Sequence, residues 1–146
     1  DFVVADYESL AFREEFDIVV FFDCLHHAVD EVSALASAYR ALKPGGIVIT
    51  SEPGWGHERR SADVIAEFGV TERDMHPAKI IRGAKKVGFR NFNVVPRASY
   101  LYISLYRRKS HGMLGRLLRI PGMRTLLGMA MVLFSKHQSG IVVLQK

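Results

Sequence analysis

Apolar residues fall along this chain in two rhythms. Phe2 to Ala5 and Ile18-Val19-Val20-Phe21-Phe22 are unbroken runs, the first ending at Asp6 and the second held between Asp17 and Asp23. Runs of this length, rich in β-branched and aromatic residues, predict strands buried on both faces and hence a parallel sheet. Ile47 to Ser51, Asn91 to Val95 and Gly140 to Leu144 complete a set of five expected strands. Between them the spacing changes. Val32, Leu35, Ala36, Tyr39 and Leu42 recur every three or four residues from Asp30 onward, which predicts an amphipathic helix ended by Lys43-Pro44-Gly45-Gly46. Pro53-Gly54-Trp55-Gly56 reads as a loop and Asp63 to Gly69 as a short helix. Thr71-Glu72-Arg73-Asp74 has the look of a capping box before a helix from Pro77 to Val87 that Gly88 closes. This alternation predicts an α/β layer fold.

The segment 97–139 breaks the alternation. Tyr100, Tyr102 and Tyr106 lead into Arg107-Arg108-Lys109, then an apolar stretch from Met113 to Phe134 is interrupted by Arg116, Arg119, Pro121 and Arg124. It is too punctuated for a membrane span, and two amphipathic helices around Pro121 are expected. At 146 residues the chain holds one domain, with this helical insertion inside it. The first residues have neither an initiator Met nor the features of a signal peptide, so the chain is expected to start within a longer protein. A lone Cys24 can form no internal disulfide and fits a reducing cytoplasm. Charge is divided unevenly. Fifteen acids against six bases before residue 75 give −9, whereas fourteen bases and no acid after it give +14. The basic half suits an anionic membrane surface, a phosphorylated substrate or pairing with the acidic half, and the segment 97–139 a lid over a substrate pocket, a dimer surface, an interfacial helix or, first among these, a core-packing helical cap. No basic run is interleaved with surface aromatics as in an RNA-binding sheet, so nucleic acid is not an expected partner.

The run Phe16-Asp17-Ile18-Val19-Val20-Phe21-Phe22-Asp23-Cys24-Leu25-His26-His27, the helix after it, and Leu42-Lys43-Pro44-Gly45-Gly46 resemble strand four, helix and strand five of class I S-adenosylmethionine-dependent methyltransferases. Asp6 at a strand end and Gly88-Phe89 before a strand extend the resemblance over residues 1–96 and 140–146. Ser51-Glu52-Pro53-Gly54-Trp55-Gly56-His57 and Gly69-Val70-Thr71-Glu72-Arg73-Asp74-Met75 look like a bacterial subgroup found beside sugar and polysaccharide genes. The resemblance implies a Rossmann-like sheet of order 3-2-1-4-5-7-6 with the seventh strand antiparallel and helices on both faces. This chain would supply strands three to seven, Phe2 to Ala5 being strand three. The glycine-rich loop after strand one would be absent, and the one G-x-G here, Gly54-Trp55-Gly56, follows the wrong strand. Without strands one and two, residues 2–5 are expected to pair with Ile18–Phe22, to pair with another chain, or to be poorly ordered.

The resemblance also implies the site. Asp6 would accept from the adenine amino group of S-adenosylmethionine, Tyr7 would offer its backbone N–H, and Phe22, Asp23 and Leu25 would line the cofactor. The competing readings are a turn aspartate at position 6 and core packing for Leu25. His26 and His27 are acid/base candidates, His27 the better one, because a histidine titrating near neutrality can take a hydroxyl proton. Glu52 and His57 lie at the carboxyl edge of the sheet and are candidates to act on the substrate, while Trp55 could stack on a sugar ring or cap the core. Adjacent histidines suggest a metal, but no third ligand stands at a convincing spacing, so none is expected. The activity implied is methyl transfer to an oxygen of a small molecule, a sugar or lipid-linked glycan. The alternative is a non-catalytic fragment or interaction module. A nicotinamide-dependent oxidoreductase leaves Lys43-Pro44-Gly45-Gly46 and the paired histidines without a role.

Overall fold

The computed structural model describes residues 2–95 and 113–146. Strand β1 (Phe16–Phe22) leads through a 3-10 turn (Leu25–His27) into helix α1 (Glu31–Ala41) and strand β2 (Leu42–Ser51). Helices α2 (His57–Arg60), α3 (Ala62–Phe68) and α4 (Pro77–Val87) precede strand β3 (Asn91–Val95). Helices α5 (Met113–Leu117) and α6 (Met123–Ser139) stand on either side of Pro121, before strand β4 (Ile141–Gln145). The sheet order is β1-β2-β4-β3. β1 and β2 are parallel, and β4 runs antiparallel to both of its neighbours. This is the 4-5-7-6 portion of the sheet that the resemblance implied.

Local chemistry sets the helix ends. The Asp30 carboxylate accepts from the backbone N–H groups of Val32 and Ser33 at 3.1 and 3.2 Å and from the Ser33 hydroxyl at 2.6 Å. The Ser33 hydroxyl and these amides hold its carboxyl below the usual aspartate range. α4 starts differently from the capping box expected at Thr71-Glu72-Arg73-Asp74. His76 is its N-cap, with Nδ1 accepting from Lys79 N–H at 3.3 Å, and Pro77 follows. Glu72 and Asp74 serve the site instead. α1 and α4 pack closely because Gly83 has no side chain: a Cβ there would meet Leu35 at 3.2 Å. Leu35, Ile80 and Ala84 thereby cover Val48, Val142 and Leu144 in the core.

Two expectations need correction. Residues 2–5 form no strand, and Phe2 and Val4 are fully exposed. A four-residue segment has no stability outside a ladder, and no described strand pairs with it. Nor is β1 buried on both faces. Phe21 packs into the core, whereas Ile18, Val20 and Phe22 on the opposite face are 53, 58 and 67% exposed. Helices α1 and α4 cover the other face only.

The register of β1 on β2 is fixed by a bulge. Phe16 pairs with Leu42 but Ile18 with Ile47, so Lys43-Pro44-Gly45-Gly46 is looped out. Gly45 takes φ +80°, and a Cβ on Gly46 would lie 3.0 Å from the carbonyl oxygens of Asp17 and Lys43. Because those neighbours are backbone, Gly46→Ala is expected to cost about 1–3 kcal/mol, read as a lowered urea midpoint. An unchanged midpoint would show that the bulge has room for a side chain.

Candidate functional site

The register places the ends of β1 and β2 side by side. Phe22 pairs with Ser51, and Asp23 N–H donates to the Ser51 carbonyl at 2.8 Å. Asp23 takes φ +46°, turning the chain sharply into the Leu25–His27 turn. One carboxylate organises that turn. Glu52, 1% exposed, accepts from the N–H groups of Cys24, Leu25 and His26 at 3.2, 3.0 and 3.3 Å. It also holds His26 Nδ1 at 2.7 Å. Nδ1 donates to this carboxylate, and Nε2 points the other way across the ring.

His26 Nε2 faces a second carboxylate. His26 Nε2 stands 3.4 Å from Glu72, His57 Nε2 binds the same Glu72 oxygen at 2.7 Å, and His27 Nδ1 lies 3.6 Å from the other oxygen. His27 Nδ1 donates to the Thr71 carbonyl at 2.8 Å, and its side chain is 45% exposed. The residues 71–75 are stitched to the site by backbone bonds from Arg73 N–H to His26 O and from Met75 N–H to Pro53 O. Asp74 accepts from Gly56 and Glu58 N–H, both at 3.0 Å. Burial pushes the Asp74 carboxyl up, but these amides outweigh it and hold the carboxyl below its usual range.

Trp55, the one tryptophan, stacks on His76 with ring centres 4.0 Å apart and planes 7° from parallel. Burial, then Lys79 and Arg82, push the His76 pKa down, and Asp74 only partly opposes them. The native form is the neutral one, because Nδ1 must accept from Lys79 N–H. Its stabilising contribution is therefore present above the ordinary histidine value of about 6.5 and is lost as pH falls through the depressed folded value. Trp55 emission should titrate with a midpoint below that value and should not titrate in His76→Phe. A midpoint above it would contradict the assignment.

The residues singled out from sequence are only partly brought together. Asp6 is exposed in a turn, its carboxylate accepting from Glu8 N–H at 2.9 Å and the Ser9 hydroxyl at 3.4 Å. Tyr7 reaches the site, its hydroxyl donating to the Cys24 carbonyl at 3.3 Å and its ring edge-on to Phe21. Phe22 is exposed on the opposite face of β1 from Phe21. Leu25 is completely buried in the core, as its core-packing reading allowed, and can offer a ligand nothing but backbone. Glu52 is buried as an anchor, and His57 opens α2 with its side chain 24% exposed. Sequence reasoning passed over Glu72, Asp74 and His76, whose one signal is the density of ionisable residues just before the acids cease.

The Methyltransferase domain family matches residues 1–50. No curated protein matches the chain in sequence. Among solved structures, phosphoethanolamine N-methyltransferase 2 of Haemonchus contortus, in complex with S-adenosyl-L-methionine, is 20% identical with a TM-score of 0.57, covering 96% of this chain and 35% of its own. A methyltransferase from Thermotoga maritima is 16% identical with a TM-score of 0.60, covering 97% and 61%. Geranyl diphosphate C-methyltransferase of Streptomyces coelicolor is 13% identical with a TM-score of 0.58, covering 98% and 53%. The chain thus spans about a third of the Haemonchus enzyme's length. Its mixed α/β fold is part of the Rossmann-like fold of the class I S-adenosylmethionine-dependent methyltransferases.

Proposed function

We propose that the protein containing this chain transfers a methyl group from S-adenosylmethionine to an oxygen of a small molecule, a sugar or lipid-linked glycan. The observation that carries this reading is the half-exposed imidazole of His27 at the exit of β1, next to the Tyr7 and Phe22 segments. The residues present fit the adenine half of the cofactor. Phe22 offers an exposed apolar ring, Tyr7 is tied to the β1 exit through Cys24, and the Asp6 carboxylate is open to an amino group. When bound, S-adenosylmethionine supplies an electrophilic methyl group. His27 would take the acceptor's proton, with Glu72 beside it to stabilise the imidazolium. Glu52 acts by positioning His26 and the turn. The Haemonchus and Streptomyces relatives are an N- and a C-methyltransferase, so the oxygen acceptor rests on the subgroup resemblance and on His27.

Saturation-transfer NMR tests the cofactor. Adenine H2 and H8 of S-adenosylmethionine should receive saturation from this chain, more than the methionine methyl does, and Asp6→Ala should weaken the effect. No transfer to adenine would leave the interaction-module reading standing.

The helical insertion bears on partners. Among the described residues no helix is long and apolar enough to cross a membrane. On α6, Leu126, Met129 and Leu133 are each more than 60% exposed, with Arg116, Arg119 and Arg124 also at the surface. This combination supports peripheral contact with anionic lipid. Vesicles of anionic lipid should sediment with the protein at low salt and release it as salt screens the arginines. Failure to bind at low salt would end the idea.

A further inference from the structure

We infer that His26, His57 and Glu72 form a binding site for a divalent transition metal of the zinc class. Three observations converge on it, none of which depends on the methyl-transfer reading.

The first is donor geometry. A tetrahedral ion with bonds of about 2.0–2.2 Å to nitrogen and oxygen holds neighbouring ligand atoms roughly 3.3–3.6 Å apart. His26 Nε2 and Glu72 Oε2 are 3.4 Å apart, longer than a good hydrogen bond and at that separation. His57 Nε2 approaches the same oxygen at 2.7 Å, a hydrogen-bond distance, and need open only slightly. His57 sits at the start of the four-residue helix α2, its side chain 24% exposed and its ring edge-on to that of His26 with centres 4.9 Å apart. On metal binding His57 would ligate as a neutral imidazole, its ring proton standing on Nδ1 and its Nε2 lone pair turned to the ion.

The second is orientation. A metal-ligating histidine typically donates its other ring nitrogen to a carboxylate, which fixes the ring and makes the ligating nitrogen more basic. Buried Glu52 does this to His26 at 2.7 Å, and it is itself held by three backbone N–H groups. His26 Nε2 is thus aimed at Glu72 before any ion arrives.

The third is access. His27 completes the rim, and one potential ligand atom each from His26, His27 and Glu72 falls within 4.8 Å of the others. His27 Nδ1 is committed to the Thr71 carbonyl, so its place is beside the ion. Two imidazoles and one carboxylate leave a position open for water or for an oxygen of the substrate, as in catalytic sites.

Cobalt(II) titration of the chelator-treated 146-residue chain, followed by visible absorption, tests the site. One equivalent should bind with the intense d–d bands of a four-coordinate ion, and zinc(II) should displace it. Glu72→Gln and His57→Ala should each weaken binding by about 100-fold or more. Glu52→Gln, which removes no ligand atom but loosens the turn that orients His26, should weaken it by about 10–100-fold. Circular dichroism checks that each variant is folded, and His57→Ala, the least buried of the set, keeps the test decisive if the others unfold. Absence of saturable absorption in the folded protein, or equal affinity in His57→Ala, would overturn the site.

Discussion

Replacing Glu52 with alanine should lower the folding free energy by about 3–5 kcal/mol, seen as a large drop in urea midpoint. The carboxylate is buried and is the common acceptor for the amides of Cys24, Leu25 and His26 and for His26 Nδ1. Those amides occupy a tight turn between β1 and α1, where they point toward Glu52 and away from any ladder. Truncation leaves four donors facing a small void, and a penalty of this size is a large part of the roughly 5–15 kcal/mol that holds a domain folded. Glu52→Gln keeps the shape and one acceptor oxygen but turns an N–H toward the remaining donors, so its loss should fall between wild type and alanine, about 1–3 kcal/mol. An alanine variant with a wild-type midpoint would show that the turn does not depend on the carboxylate.

The second large effect concerns His27. His27→Ala should slow methyl transfer by about 10²–10⁴-fold in kcat while moving stability by no more than about 0.5 kcal/mol, because the side chain is half exposed. The readout is single-turnover transfer from methyl-labelled S-adenosylmethionine, together with a denaturation curve. Adenine saturation transfer should be unchanged. His26→Ala makes the contrast, since its ring is almost wholly buried between Glu52 and Glu72 and its removal should show first in stability. Undiminished transfer in His27→Ala would leave catalysis to positioning alone.

Much of the fold was legible because it rests on local signals. The apolar run between Asp17 and Asp23, the Asp30 cap and the Gly88 stop act within a few residues of themselves, and the corresponding elements stand within a residue or two of where their spacing put them. The capping box at Thr71 misled because Glu72 and Asp74 have helix-start chemistry but are taken by distant groups, leaving His76 to cap α4. The strand at residues 2–5 misled because apolar composition does not supply a partner, and ladder bonds need one. The exposure of Ile18, Val20 and Phe22 could not be read either, since a run buried on both faces and a run with one face open have the same composition.

The site divides in the same way. The sequence by itself determined that the carboxyl ends of two parallel strands would carry ionisable side chains, since Asp23-Cys24-Leu25-His26-His27 and Glu52 directly follow apolar runs of strand length rich in β-branched residues. Tertiary structure alone decided what those side chains do. It buried Glu52, turned His26 inward and His27 outward, and brought Glu72, 46 residues from His26 in the numbering, to within 3.4 Å of it. The physical reason is that neighbouring residues in a tight turn point to different sides, and what each meets there is set by loops packed from elsewhere in the chain.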